Sequence, residues 1–400
     1  MLRGLFCKKN SLLIVVALFL VAIFSYHEKD RYGGELSKWS RSLIGNEKTL
    51  KFEGWYFSAQ DKADRLKFSV FGGKTKVFSE NSFSKEFLPE QPNTADQESA
   101  WFDTRETWED YYVVLPEPSP PPKPAPLALP KTDLFFDSPQ QGEGLWTTEG
   151  LPHTSPEDLL MAKVFVRPDP VRPYAVVQAL ILDKRRIRLH VVGSGKIPDE
   201  DKGNLLVAWN GGFQLGHALW GMYADQKPYK PLLPGYASLV LSKDGTFRIG
   251  TWGTEGFGFG PDVAAVRQNG RLLVENCAVN NATASADPNI WGRVEDKDTA
   301  SFITSRSAIG LTESGDLLVA DGSSLTAQTL ARALKAVGAC WAMQLDINAS
   351  WIITSLFYYP EKGPMIATKF MPSMIRDPKM FLSNQSRDFM YLTLDETNYN

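Results

Sequence analysis

Three polar clusters in this sequence carry residue types able to do chemistry. The first is Asn210-Gly211-Gly212-Phe213, preceded by Trp209 and followed by His217. Adjacent glycines after an apolar run let backbone N–H groups come close to a ligand, because no Cβ stands in the way. A tight turn would use the same residues. The second is Arg306, at the head of Ser307-Ala308-Ile309-Gly310. An arginine at a strand start is either an ordinary surface cation or ion-pair member, or a bidentate grip on phosphate or carboxylate. The third is a pair of aspartates, Asp321 in Ala320-Asp321-Gly322 and Asp346 in Gln344-Leu345-Asp346-Ile347-Asn348. Each closes an apolar run. Two such carboxylates serve as acid and base, or as nucleophile and acid, while aspartates also cap turns.

Other chemistries find no residues. There is no Gly-x-x-x-x-Gly-Lys phosphate loop and no Gly-x-Ser-x-Gly nucleophile elbow. The four histidines, His27, His153, His190 and His217, form no His-Glu-x-x-His, and no Cys-x-x-Cys pairs occur, so zinc is not indicated. No cofactor is expected, and a divalent cation is left open with no ligands named. The net charge of −3 gives no field to recruit nucleic acid. Gly253–Gly260 alternates glycine with Phe257 and Phe259 and lacks a lysine, which reads as a packed β-loop.

The clusters need elements to hold them, and from about Leu159 the patterning supplies these. Ala175–Leu182 reads as a strand, and Ile187, Leu189 and Val191 alternate with Arg186, Arg188 and His190. Asp244-Gly245, Asn269-Gly270 and Ser314-Gly315 each separate two apolar runs, the signature of tight hairpins. One helix is expected after Thr326 as N-cap, with Leu330, Leu334 and Val337 on one face and Gly338 beyond its end. Trp341–Leu345 and Trp351–Tyr358 read as strands. Hairpins with few helices predict an α+β domain, mostly antiparallel sheet with a few packed helices, over about residues 142–395.

Ahead of it, Arg3, Lys8 and Lys9 precede an uncharged run from Ser11 to Tyr26. That order threads the following chain across a membrane. It predicts a cytoplasmic tip (1–10) and a single-pass signal anchor (11–26), with a cleaved signal peptide as the alternative. The main domain then stands in the periplasm or outside the cell. Residues 27–114 are irregular apart from one expected hairpin, Leu66, Phe68 and Val70 turning at Gly72-Gly73 into Lys74–Phe78. Residues 115–131 hold Pro116, Pro118, Pro120, Pro121, Pro122, Pro124, Pro126 and Pro130. That composition is a polyproline II spacer, or a ligand for a proline-binding partner. Cys277 and Cys340 would face an oxidising compartment, as a disulfide or as two separate buried thiols.

Taken together, Asn210-Gly211-Gly212-Phe213, Arg306-Ser307-Ala308-Ile309-Gly310 and the leucine-rich helix leading to Gln344-Leu345-Asp346 resemble the motif order of the phosphodiester glycosidase family. The resemblance runs from about Gly142 to Asp388. One departure stands out: Asp346-Ile347-Asn348-Ala349-Ser350 replaces Asp-Gly-Gly-Gly-Ser. The chain is similar in this to a bacterial subgroup with Leu-Asp-Ile-Asn before a tryptophan, as it is at Val164–Asp169 and Ser386-Arg387-Asp388-Phe389. Side chains then stand where backbone would approach a substrate, which bears on substrate choice and on whether activity is kept.

The resemblance implies hydrolysis of a sugar-1-phosphodiester in envelope glycan or exopolysaccharide. Asp346 would answer the positive charge developing at the sugar, and Asp321 or His217 would shuttle the proton. Arg306, the backbone of Asn210, Gly211 and Gly212, and Asn348 would hold the substrate. The competing expectation is a non-catalytic polysaccharide-binding or assembly protein, with Trp209, Trp220, Trp252 and Trp351 stacking on sugars, each of which also suits a core.

Overall fold

The computed structural model describes residues 42, 45, 59, 61–72, 126–216, 218–284, 303–360 and 362–397. The apolar run 11–26, most of the proline-rich stretch and His217 lie outside them. Among the described residues no helix is long and apolar enough to cross a membrane.

The expected hairpin near Gly72 is corrected: residues 61–71 are helical. Asp61 pairs with Arg65 one turn on. Gly72, at φ +61°, donates its N–H to the Phe68 carbonyl and ends the helix. Leu66 and Val70 are exposed and only Phe68 turns to the protein, against Tyr174, so three alternating apolar residues were too short a run to exclude a helix. The second expected strand, Lys74–Phe78, lies outside the described residues.

Among the described residues the strands form three antiparallel sheets. The largest orders β1 (Met161–Val166), β2 (Val177–Leu182), β13 (Leu317–Leu325), β12 (Thr304–Thr312), β14 (Ala339–Gln344), β10 (Leu272–Glu275) and β11 (Ala278–Val279). The second orders β16 (Ile366–Lys369), β15 (Thr354–Tyr358), β4 (Leu205–Asn210), β17 (Phe389–Leu394) and β3 (Ile187–Val192). The third orders β6 (Lys227–Lys230), β5 (Met222–Ala224), β9 (Val263–Gln268), β7 (Ala237–Ser242) and β8 (Phe247–Thr251). This is the expected α+β architecture of antiparallel sheet with few helices.

Two cores follow from the period of two along each strand. On the large sheet Ile309, Val319 and Met343 face the other sheets, with Trp209, Leu239 and Leu356. Ala308, Ala320 and Ala342 face the helix Ala327–Ala336. Thr326 caps that helix, exchanging bonds with Thr329, and Gly338 at φ +93° follows its end. The last residues of the proline-rich stretch are part of this core. Leu127 is buried there, the Pro130 carbonyl accepts from the Trp146 indole (2.8 Å), and Pro130 lies against Gly338.

Asp244-Gly245 and Ser314-Gly315 make the hairpins β7–β8 and β12–β13. Asn269-Gly270 does not. It joins β9 to β10, which belong to different sheets. The Asn269 side chain is buried; its Nδ2 donates to the carbonyls of Gln344 (2.8 Å) and Leu345 (2.9 Å), and its Oδ1 accepts from the Phe213 N–H (3.2 Å). An Asn-Gly with its side chain so engaged is a corner between sheets. Gly253–Gly260 is packed only in part: the Phe257 ring lies where a Cβ on Gly250 would stand, while Phe259 and most of the glycines are exposed. Cys277, in the turn between β10 and β11, is disulfide-bonded to Cys340 on β14.

Candidate functional site at the mouth between two sheets

Where β4 and β14 end and β17 begins, the first two sheets part and leave a recess. Its empty space is about 290 Å³ with the part open to solvent. Asn210, Gly211, Gly212, Asp346, Trp351, Met380, Phe381, Gln385, Arg387 and Asp388 line it. Four expected residues therefore converge: Asn210, Gly211, Gly212 and Asp346.

Asp346 is buried to 3% exposure. Its Oδ1 accepts the N–H groups of Ile347 (2.7 Å) and Asn348 (3.0 Å), and its Oδ2 pairs with the Arg387 guanidinium. Burial pushes its carboxyl up, against the downward pull of Arg387 and the two N–H groups. Arg387 stays 14% exposed and lies 4.5 Å from the centre of the Trp351 ring, with Arg376 4.0 Å from the same ring. Arg376 is anchored by donating Nε–H to the Ser350 carbonyl (2.6 Å). A carboxylate, a guanidinium and an aromatic face thus share one opening.

Asn210 ties the two sheets. Its Nδ2 donates to the Ser307 hydroxyl (3.0 Å), which donates to the Asp346 carbonyl (3.0 Å), and its Oδ1 accepts from Ile353 N–H (3.0 Å). Its role is to position Asp346 through Ser307. The glycines have a different reason from the one expected. Gly211 N–H donates to the Asp388 carbonyl (3.0 Å), Gly212 N–H to Asp388 Oδ2 (3.1 Å). A Cβ on Gly211 would lie 1.9 Å from Asp388 Oδ2, and one on Gly212 would lie 2.7 Å from Arg267 Nη2. Both N–H groups are spent, and the missing side chains make room for a sealed ion pair. Arg267 is fully buried, its Nε donating to Asp388 Oδ2 (2.7 Å) and its Nη2 to the Phe213 carbonyl (2.6 Å).

Arg306 is elsewhere. It shares its side of the large sheet with Ala308 and Gly310, the helix side. Fully buried, it donates to the Leu325 carbonyl (3.0 Å) and to Gln344 Oε1, and desolvation lowers its pKa to about 9. It is not a grip on substrate in the recess, and this expectation is corrected. Asp321 does face inward, opposite Ser307, yet it does not line the recess. It is sealed at 1% exposure, accepting the Thr354 hydroxyl (2.7 Å) on Oδ2, while its Oδ1 finds no partner among the described residues. Burial pushes its carboxyl up to about 7. Asn348 is exposed and closes a turn, its Oδ1 accepting the Ser350 N–H (2.9 Å). Ile347, where the family motif has glycine, is buried. His217 lies outside the described residues.

Of the four tryptophans, Trp209, Trp220 and Trp252 are buried at 1%, 2% and 8%, and only Trp351 borders the recess. Arg267 was not foreseen, and Arg387 and Asp388, noted only within the Ser386-Arg387-Asp388-Phe389 resemblance, were given no place in the site. A signal existed for Arg267, a charged residue directly after the apolar run of β9 and still within the strand. Its partner Asp388 stands 121 residues away, and the motif that holds Asp388 says nothing of the pairing. Among the described residues no group of three or more His, Cys, Asp or Glu side chains is placed to hold a metal ion.

No family model and no curated protein matches the chain. Solved structures do. The zebrafish N-acetylglucosamine-1-phosphodiester alpha-N-acetylglucosaminidase catalytic domain, auto-inhibited by its pro-peptide, is 15% identical with a TM-score of 0.40, over 62% of this chain and 87% of that one. A hypothetical protein from Synechocystis is 12% identical with a TM-score of 0.31, over 55% of this chain and 59% of that one.

Proposed function

We propose that this chain is an extracytoplasmic hydrolase of glycosyl phosphodiesters. The observation that supports it is the meeting of Asp346, Arg387 and Trp351 at one opening. Cleavage at the anomeric carbon builds positive charge on the sugar and negative charge on the departing phosphate. Asp346, held on Oδ1 by two N–H groups, answers the first. Arg387, part-exposed and able to part from Oδ2, answers the second in the role first expected of Arg306. Trp351 offers an apolar face beside them. Phosphate leaves readily, so the reaction asks little of a general acid. The disulfide Cys277–Cys340 supports an oxidising compartment, in keeping with an anchored, outward-facing domain.

The test is release of sugar from a synthetic α-glycosyl phosphodiester by the full chain. Asp346→Asn should lower kcat by about a hundredfold or more; an unchanged rate sinks this site. The rate should also fall as pH falls through the raised pKa of Asp346, since the ionised form does the work. A second reading, a glycan-binding protein without turnover, draws on the fact that both Asp346 oxygens are already engaged. Binding across a glycan panel with no sugar released would favour it.

A further inference from the structure

A second concavity lies beside the recess. It is a groove of about 930 Å³, counting space open to solvent, between β3, an edge strand among the described residues, and the strands β7 and β9. Arg188, His190, Lys196 and Lys243 line it, with apolar floor from Leu241 and Ala265. Asp225 also lines it, its Oδ2 accepting the Tyr229 hydroxyl (2.5 Å) and the Gly193 N–H (3.2 Å), so three lining cations stand against one carboxylate. Lys196 pairs with exposed Asp199 (3.0 Å) at the rim, and Arg188 lies 3.9 Å from Asp395. Lys243 is exposed and makes no ion pair among the described residues.

The groove and the recess share a wall. Gly195 exchanges backbone hydrogen bonds with Gln385 (2.9 and 2.6 Å), and Ile197 N–H donates to the Phe381 carbonyl (2.9 Å). Gln385 and Phe381 line the recess. Ser194, Lys196 and Pro198, on the same short strap, line the groove. An extended chain seated in the recess has only this strap to cross before it meets a cationic trough.

We infer that the groove is a subsite for an anionic polysaccharide whose reacting linkage sits at Asp346 and Arg387. This rests on the proposed function and adds that the substrate is a polymer. Its repeating acidic groups meet Arg188, Lys196 and Lys243. The edge strand β3 also suits an extended peptide. The shared strap favours a ligand continuous with the recess.

The experiment measures binding and turnover by the full chain with two probes: yeast phosphomannan, a polymer of mannosyl phosphodiesters, and methyl mannosyl phosphodiester, a single linkage. Lys243→Glu and Arg188→Glu together should weaken the polymer about tenfold at low salt, less at high salt, and leave turnover of the short diester within about twofold. Equal losses on both probes, or no loss on the polymer, overturn the inference. A short diester that is turned over while the polymer ignores the groove variants leaves the hydrolase standing and removes the subsite. Polymer binding that depends on the groove without release of sugar from either probe does the reverse. Displacement of the polymer by an uncharged extended peptide, with peptide binding unchanged in the double variant, assigns the groove to peptide and overturns the proposal.

Discussion

The molecule holds arginine and aspartate together in two regions with opposite consequences. Around the large sheet, Arg306 and Asp321 sit on opposite faces of neighbouring strands, each excluded from water. At the mouth, Arg387 and Asp346 face each other with the guanidinium still 14% exposed. In sequence both are arginines and aspartates near strand ends. The difference is made by depth: a buried polar group is committed to its protein partners, whereas one at an opening can exchange its partner for a ligand. The sealed pair Arg267–Asp388, which touches the recess wall, lies on the committed side of that line.

Removing one half of the sealed pair should be the most damaging change. Arg267→Ala leaves Asp388 buried without its cation and should lower stability by about 3–5 kcal/mol, read by denaturant unfolding. A loss under 1 kcal/mol would put Asp388 among the solvent-accommodated groups and blur the comparison. Gly211→Ala comes next. Its Cβ would lie 1.9 Å from Asp388 Oδ2 and 2.7 Å from the Asp388 carbonyl, so the strand end must shift, at a loss of about 2–3 kcal/mol. If this variant is as stable as the parent, room for the ion pair is not why glycine stands there.

Asp321 gives a prediction with a pH signature. Its folded pKa, near 7, lies above that of an unfolded aspartate, so the folded state binds more protons between about pH 4 and 7. Its contribution is therefore favourable at low pH and is lost as pH rises through 7. Asp321→Asn should flatten that fall, gaining roughly 1–3 kcal/mol on the parent at pH 8 and little at pH 4. A parent and variant with parallel stability–pH curves would mean that Asp321 titrates normally. The smallest stability effect belongs to the open pair. Arg387→Gln should cost about 1–2 kcal/mol yet remove most turnover of a glycosyl phosphodiester. A large stability loss there would move Arg387 to the sealed class.

Much of the architecture was legible because it is local. Ser314-Gly315 between two apolar runs makes its hairpin, and Thr326, the leucine spacing and Gly338 mark a helix from cap to end. Local rules also explain the failures. Asn269-Gly270 has the same turn chemistry as a hairpin, and only its distant partners Gln344 and Leu345 make it a corner. Leu66, Phe68 and Val70 alternate as a strand would, yet they lie on a helix that leaves Leu66 and Val70 exposed, and the Asp61–Arg172 bond (2.7 Å) that docks it spans 111 residues. At the site, Asp346 and Asn210 could be read from strand ends. Arg306 could not be placed, since alternation says that Arg306 and Ser307 face opposite ways but not which way is the core. Arg387 and Asp388 stand side by side in the chain and part in space, one to the opening and one to the sealed pair.

The fit of Gly211 and Gly212 around Asp388 and Arg267 also changes what their motif is worth as a marker. Selection on folding alone would preserve Asn-Gly-Gly in a descendant that had stopped turning over substrate, for as long as the buried ion pair beneath it persisted. In a survey of related chains, that tripeptide would track shared ancestry of the scaffold. On the proposed function, the residues that sort working enzymes from retired ones would be those at the opening, Asp346, Arg387 and Trp351.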